Sequence, residues 1–88
     1  DRSFLDLPGR LAKTLLDLGR TAGIETDEGL RVEMPMSQRA FGALLGASRE
    51  TVNKQLKAWQ DEGLILTGRR YVVLVDTERL AHRVGLAH

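Results

Sequence analysis

The sequence predicts a single, mainly α-helical domain with small β-hairpins. Of its 88 residues, 42% are hydrophobic and 28% are charged, an ordinary balance for a folded globular chain. Apolar residues recur at helical spacing in three segments, and two β-rich runs flank a turn near the end. Because 88 residues is close to the smallest size that buries a core without disulfides or metal, we expect one domain over residues 1–88.

The first predicted element is an amphipathic helix over residues 6–19. Asp6 is its predicted N-cap, and either Gly19 or Gly23 can end it. Residues 24–34 then alternate apolar and polar side chains around the turn Asp27-Glu28-Gly29, which predicts a small hairpin that Pro35 closes. The apolar stripe of the helix is formed by Leu7, Leu11, Leu15 and Leu18.

Residues 37–62 predict two short helices that meet over a tight turn. Gly42 has no side chain where two helices must cross closely, and Gly46 can take the positive φ that a short turn requires. Ser48 is the predicted N-cap of the second helix. The first helix has an apolar pattern at Ala40, Phe41, Leu44 and Leu45, and the second has one at Val52, Leu56 and Trp59.

A basic hairpin is predicted over residues 64–75, because two β-rich runs flank Thr67-Gly68-Arg69-Arg70. A short helix over residues 77–84 follows, with Asp76 or Thr77 as its cap. The order helix, hairpin, helix, helix, hairpin and short helix is that of a winged helix-turn-helix domain. The second hairpin is its wing.

The sequence lacks the residues that several classes of function require. The chain has no cysteine, which excludes a disulfide framework and a cysteine-ligated metal, and its two histidines, His82 and His88, are isolated. It contains no phosphate loop, nucleophile elbow or metalloprotease motif, so we expect no enzymatic activity. No apolar run approaches the length of a membrane span, and a cytoplasmic location without membrane contact is expected.

Charge and motif together favour DNA as the partner. Residues 37–75 carry six basic and three acidic side chains, whereas residues 1–36 carry five basic and seven acidic ones. Arg49, Glu50 and Lys54 project from the second helix away from its apolar face. An α-helix fits the major groove, where arginine can bond guanine and glutamate can accept from cytosine, so these three side chains are candidate base contacts.

The segment Gly46-Ala47-Ser48-Arg49-Glu50-Thr51-Val52, with Lys54, Leu56 and Glu62-Gly63-Leu64-Ile65, resembles the DNA-binding domain of the Crp/Fnr family. The resemblance extends over nearly the whole chain. It implies that the recognition helix, residues 49–62, lies in the major groove of a palindromic TGTGA-like half-site. Arg49 would then contact guanine, Glu50 cytosine, and Lys54 another guanine or a phosphate. The phosphate contacts that it implies are Arg39, Ser48, Thr51, Asn53, Arg69 and Arg70.

Two positions depart from the family pattern. Well-known members have arginine in place of Lys54, and lysine lacks the planar fork that bonds guanine bidentately. Gln55 stands where some members have an apolar residue.

The resemblance also implies properties of a longer parent protein, whose N-terminal sensor domain and dimerisation helix are absent from this chain. The parent would be a homodimer that regulates transcription, with RNA polymerase as a candidate partner and a cyclic nucleotide as a candidate ligand of the missing domain. No cofactor is expected in the present domain, which alone is expected to be monomeric. The alternative is a winged-helix module for protein–protein contact, which predicts an exposed apolar patch and a neutral or acidic second helix.

Overall fold

The computed structural model of the protein describes residues 7–34 and 36–85. Asp6, the predicted cap of the first helix, Pro35, the predicted end of the first hairpin, and His88 lie outside these residues. The described elements are, in order, α1 (Leu7–Ala22), β1 (Ile24–Thr26), β2 (Gly29–Glu33), α2 (Gln38–Leu45), α3 (Arg49–Asp61), β3 (Ile65–Gly68), β4 (Tyr71–Leu74) and α4 (Thr77–Gly85).

The predicted range of the first helix, 6–19, ends at Gly19. In the structure, α1 continues to Ala22. A Cβ at Gly19 would lie only 2.8 Å from Leu30 Cδ2 and 3.2 Å from Leu74 Cδ1. The glycine therefore lets the helix approach the sheet closely and does not terminate it. Gly23 follows the end of the helix, and its N–H donates to the carbonyl of Gly19 at 2.9 Å.

The two hairpins are parts of one antiparallel sheet with strand order β1-β2-β4-β3. Strands β2 and β4 join them, with Val32 opposite Val72. The sequence predicts each hairpin but not this pairing. Because β2 and β4 occupy the middle of the sheet, β3 is an edge strand and the wing is attached to the first hairpin along the length of β4.

One hydrophobic core lies between the helices and the inner face of this sheet. Trp59 is only 2% exposed, which confirms its predicted place in the core. The fully buried side chains of largest volume are Trp59, Phe41, Leu11, Leu15, Leu64, Ile65, Leu74, Leu80, Val32 and Val52. The four helices and both hairpins each contribute side chains to this core, so the domain is held together by a single core.

The apolar pattern of α2 is only partly a core pattern. Phe41 and Leu45 are buried, but Leu44 is 66% exposed and Ala40 also faces solvent. Leu44 therefore belongs to the helical pattern of the sequence but not to the core. An eight-residue helix offers its partners only a narrow stripe, and Phe41 and Leu45 at i and i+4 fill it.

Helix α4 packs against α1, and its Leu80 is fully buried. The carboxylate of Asp76 accepts from the N–H of Arg79 at 3.0 Å, as expected of the predicted cap. Arg83 pairs with Glu62, just beyond the end of α3. Among residues 7–34 and 36–85, no helix is both long enough and apolar enough to cross a membrane.

Candidate nucleic-acid interface

The turn between α2 and α3 is closed by backbone contacts that glycine makes possible. Gly46 has a φ of 75°, the left-handed conformation predicted for it. The N–H of Ala47 donates to the carbonyl of Gly42 at 2.7 Å, and a Cβ at Gly42 would lie 2.7 Å from the carbonyl oxygen of Ala47. These two positions fix the angle at which α3 leaves α2.

Both helices of the pair begin at a serine cap. Ser37 Oγ accepts from the N–H of Ala40 at 3.1 Å, and Ser48 Oγ accepts from the N–H of Thr51 at 3.1 Å. The hydroxyl groups of Ser48 and Thr51 also lie 2.9 Å apart, within hydrogen-bonding distance. The exposed first turn of α3 is thus ordered before any partner binds.

Helix α3 has two faces with different roles. Val52, Leu56 and Trp59 are buried and attach the helix to the core. The exposed surface of α3 includes four of the predicted contact residues: Arg49, Glu50, Asn53 and Lys54. All four side chains are exposed to solvent, so this face is accessible to a partner.

The charges of this face interact only weakly with each other. Arg49 Nη2 lies 4.0 Å from Glu50 Oε2, and the two side chains are 62% and 76% exposed. Glu50 and Lys54, which lie four residues apart on α3, do not form an ion pair with each other. An exposed pair of this kind contributes on the order of 0–1 kcal/mol to stability, so it is readily exchanged for a contact with a ligand.

The wing presents its two arginines at the tip of the β3–β4 hairpin. Arg69 and Arg70 are exposed, and Arg70 has a φ of 65°. Its carbonyl accepts from the N–H of Met34 at 2.8 Å, so the tip is held from the β2 side. Next to the tip, the guanidinium carbon of Arg31 lies 3.8 Å from the centre of the ring of Tyr71, the first residue of β4.

A groove of about 480 Å³ separates the wing from the first turn of α3. Its apolar lining includes Phe41 and Leu56, and its charged lining consists of Arg49, Arg69 and Arg70. No aspartate or glutamate lines it among the described residues. The groove is consequently a region of positive potential that favours an anionic partner.

Three of the nine predicted contact residues line one groove, and the other six do not line it. Arg49, Arg69 and Arg70 share the groove. Arg39 lies in the first turn of α2, exposed, and is not part of the groove lining. Ser37 and Gln38 do line it, although they were not among the predicted contacts. Their position at the capped N-terminus of α2, next to Arg39, is the signal that could have identified them.

Comparisons with known proteins identify the domain. Residues 9–83 match the Crp-like helix-turn-helix domain. A CRP-like cAMP-activated global transcriptional regulator of Mycobacterium tuberculosis is 43% identical over 83 residues, which are 94% of this chain and 37% of that protein. A CRP-family transcriptional regulator of Thermus thermophilus superposes with a TM-score of 0.81 at 32% identity, over 91% of this chain and 40% of that one.

A more distant neighbour supports the fold alone. The CO-dependent transcription factor CooA of Carboxydothermus hydrogenoformans has a TM-score of 0.85 at 24% identity, over 90% of this chain and 37% of that chain. The chain spans little more than a third of the length of these relatives, so the likeness concerns one domain of theirs. The matched residues contain the capped α3 and the basic wing. The domain is therefore a winged DNA-binding domain of transcription regulators and not an enzyme, and the chain belongs to the Crp-like helix-turn-helix family.

Proposed function

We propose that this domain reads a specific DNA sequence by placing α3 in the major groove. Arg49, Glu50 and Lys54 are the proposed base contacts. The observation that carries the proposal is the exposed, pre-capped first turn of α3, which presents Arg49 and Glu50 to solvent. Arg49 lines a groove together with the two wing arginines, Arg69 and Arg70. A carboxylate on this surface would weaken nonspecific phosphate binding, and it therefore favours a role in reading a base.

The proposed phosphate contacts lie around this helix. Arg69 and Arg70 extend from the wing and Arg39 from α2, whereas the hydroxyl groups at the start of α3 are small and close to the backbone. Phosphate contacts of these kinds set the register of a protein on the duplex. The full set is Arg39, Ser48, Thr51, Asn53, Arg69 and Arg70.

The proposed target is a palindrome of TGTGA-like half-sites bound by a dimer. Two recognition helices about 34 Å apart enter successive major grooves of B-DNA. The present domain is proposed to be a monomer, because dimerisation belongs to the longer parent protein. For that parent we propose a cytoplasmic, cyclic-nucleotide-responsive transcription regulator, by analogy with the cAMP-activated relative, and RNA polymerase as a further partner.

Fluorescence titration tests the proposal. A labelled duplex with two TGTGA half-sites is compared with a scrambled duplex of the same composition, at two salt concentrations. Preference for the specific duplex that persists at the higher salt is the expected result. Equal binding that salt abolishes would contradict base reading. Binding to neither duplex would favour the protein-interaction alternative, for which the exposed Leu44 of α2 is a candidate contact.

A further inference from the structure

One side chain of α3 is hydrogen-bonded to the wing. Gln60, in the last turn of α3, accepts two hydrogen bonds at Oε1: from the N–H of Thr67 at 3.0 Å and from its hydroxyl group at 2.7 Å. Thr67 belongs to β3 and lies two residues before Arg69. Among the hydrogen bonds between described residues, these two alone connect a side chain of α3 with the wing.

The contact supports the side of the wing that the sheet leaves unsupported. Strand β4 is paired with β2, and the N–H of Met34 extends that support to the carbonyl of Arg70. Strand β3 is at the edge of the sheet, with β4 on one side only. On its other side, the N–H of Thr67 donates to Gln60, which occupies the place of a neighbouring strand.

We propose that Gln60 is a positioning residue for DNA recognition. It holds β3 at a fixed distance from α3, and thereby holds Arg69 and Arg70 in register with Arg49. The inference rests on the proposed function, in which α3 contacts bases and the wing contacts phosphates. Gln60 itself makes no DNA contact in this scheme and acts through the position of the wing.

We expect α3 and the wing to need such a connection because the base edges and the phosphates that they would contact are fixed relative to each other. Phosphates and base edges of a duplex are held by its helical geometry, so a wing that moves independently loses entropy on binding. A connection that already exists in the free domain removes part of that loss. The acceptor at position 60 is the requirement, and glutamate satisfies it as well as glutamine does.

The first test uses the free domain and needs no DNA. Amide hydrogen exchange is measured for Thr67 in the unsubstituted chain and in Gln60→Ala, Gln60→Glu and Gln55→Ala variants. We expect faster Thr67 exchange in Gln60→Ala alone, because Gln60→Glu keeps the acceptor and Gln55 is a glutamine of α3 without this contact. Unchanged exchange in Gln60→Ala would overturn the inference.

The second test is a double-mutant cycle on the TGTGA-type duplex. Gln60→Ala is expected to weaken specific binding by about three- to tenfold in the unsubstituted domain, in keeping with the loss of hydrogen bonds that order the wing. In an Arg69→Ala/Arg70→Ala background, the same substitution is expected to change affinity by less than about twofold, because the wing contacts are already absent. Circular dichroism verifies that each variant is folded.

The outcomes separate this inference from the proposed function. An equal loss in both backgrounds would mean that Gln60 acts independently of the wing arginines, and would overturn the positioning role. Specific binding by the unsubstituted domain together with no effect of Gln60→Ala would overturn this inference alone. An unsubstituted domain that binds neither duplex would overturn the proposed function and the role of Gln60 in it.

Discussion

Arg10 of α1 donates a hydrogen bond from Nη2 to the carbonyl of Leu45, the last residue of α2, at 3.0 Å. The final carbonyls of a helix have no partner within the helix, and the helix dipole favours a cation beside them. Gly46 and the turn to α3 follow directly. The contact thus connects the first helix of the domain to the point at which α3 begins.

Replacing Arg10 is expected to loosen this connection. Arg10→Ala should lower the free energy of unfolding by about 1 kcal/mol, because it removes a charged donor from a helix C-terminus. Urea denaturation followed by circular dichroism measures the change. Arg20→Ala is the matched control, since Arg20 lies on the same helix and its pair with Asp17 is exposed. An effect of Arg10→Ala no larger than that of the control would argue against the role of the Leu45 contact.

Gly42 is expected to be the more sensitive of the two glycines in the helix-turn-helix. Gly42→Ala would place a Cβ 2.7 Å from the backbone oxygen of Ala47, and should cost about 1–3 kcal/mol of stability. Gly46→Ala meets no atom within 4 Å, and its cost of about 1 kcal/mol comes from the positive φ alone. Gly46→Asn should recover part of the latter loss. Equal costs for the two alanine variants, measured by denaturation, would refute the steric account of Gly42.

Arg49 is expected to determine specificity more than general affinity. Arg49→Ala should cost about 1–3 kcal/mol on the TGTGA-type duplex and much less on a scrambled one. Titration of both duplexes measures the difference. Because the side chain is mostly exposed, the thermal stability of the free domain should remain nearly unchanged. Equal losses on both sequences would contradict the base-contact role.

The lysine at position 54 is expected to be a weaker base reader than arginine. Lys54→Arg introduces the planar fork that bonds guanine bidentately. It should therefore increase the preference for the specific duplex, while binding to the scrambled duplex changes little because the charge is the same. Competition titrations with single-base variants of the half-site identify the position affected. An equal gain on all sequences would instead indicate that residue 54 contacts a phosphate.

Replacing a wing arginine is expected to reduce the salt dependence of DNA binding. Arg69→Ala should reduce the slope of log K against log salt concentration by about 0.9, the value for one phosphate contact on B-DNA. The reduction should be similar on specific and scrambled duplexes. Arg79→Ala, an exposed arginine of α4 outside the groove, is the control of equal charge. A slope unchanged by Arg69→Ala would remove Arg69 from the set of phosphate contacts.

Local features of the fold could be predicted from the sequence because their causes are local. The caps at Ser48 and Asp76 need only the following few residues, and the φ of Gly46 follows from a turn that only three residues form. The spacing of Trp59 from Val52 and Leu56 predicts its place in the core, and all three side chains are buried. The family of the domain was likewise accessible, since the motif around these residues carries the resemblance.

Features that depend on distant parts of the chain could not be predicted in this way. The pairing of β2 with β4 joins residues about forty positions apart, and neither strand specifies its partner. Gly19 has the local character of a helix end, yet packing against Leu30 makes it an interior residue. The contact between Gln60 and Thr67 requires α3 and β3 to be placed first. The DNA contacts stay predictions because they involve a second molecule.

The separation of α3 into a buried and an exposed face has a consequence for how such domains diversify. Folding constrains Val52, Leu56 and Trp59, whereas Arg49, Glu50 and Lys54 contribute almost nothing to the core. A substitution on the exposed face is therefore expected to have little effect on folding and, under the proposed function, a large effect on DNA specificity. A domain of this kind can therefore change its DNA-binding specificity by a few substitutions while its fold and stability are retained.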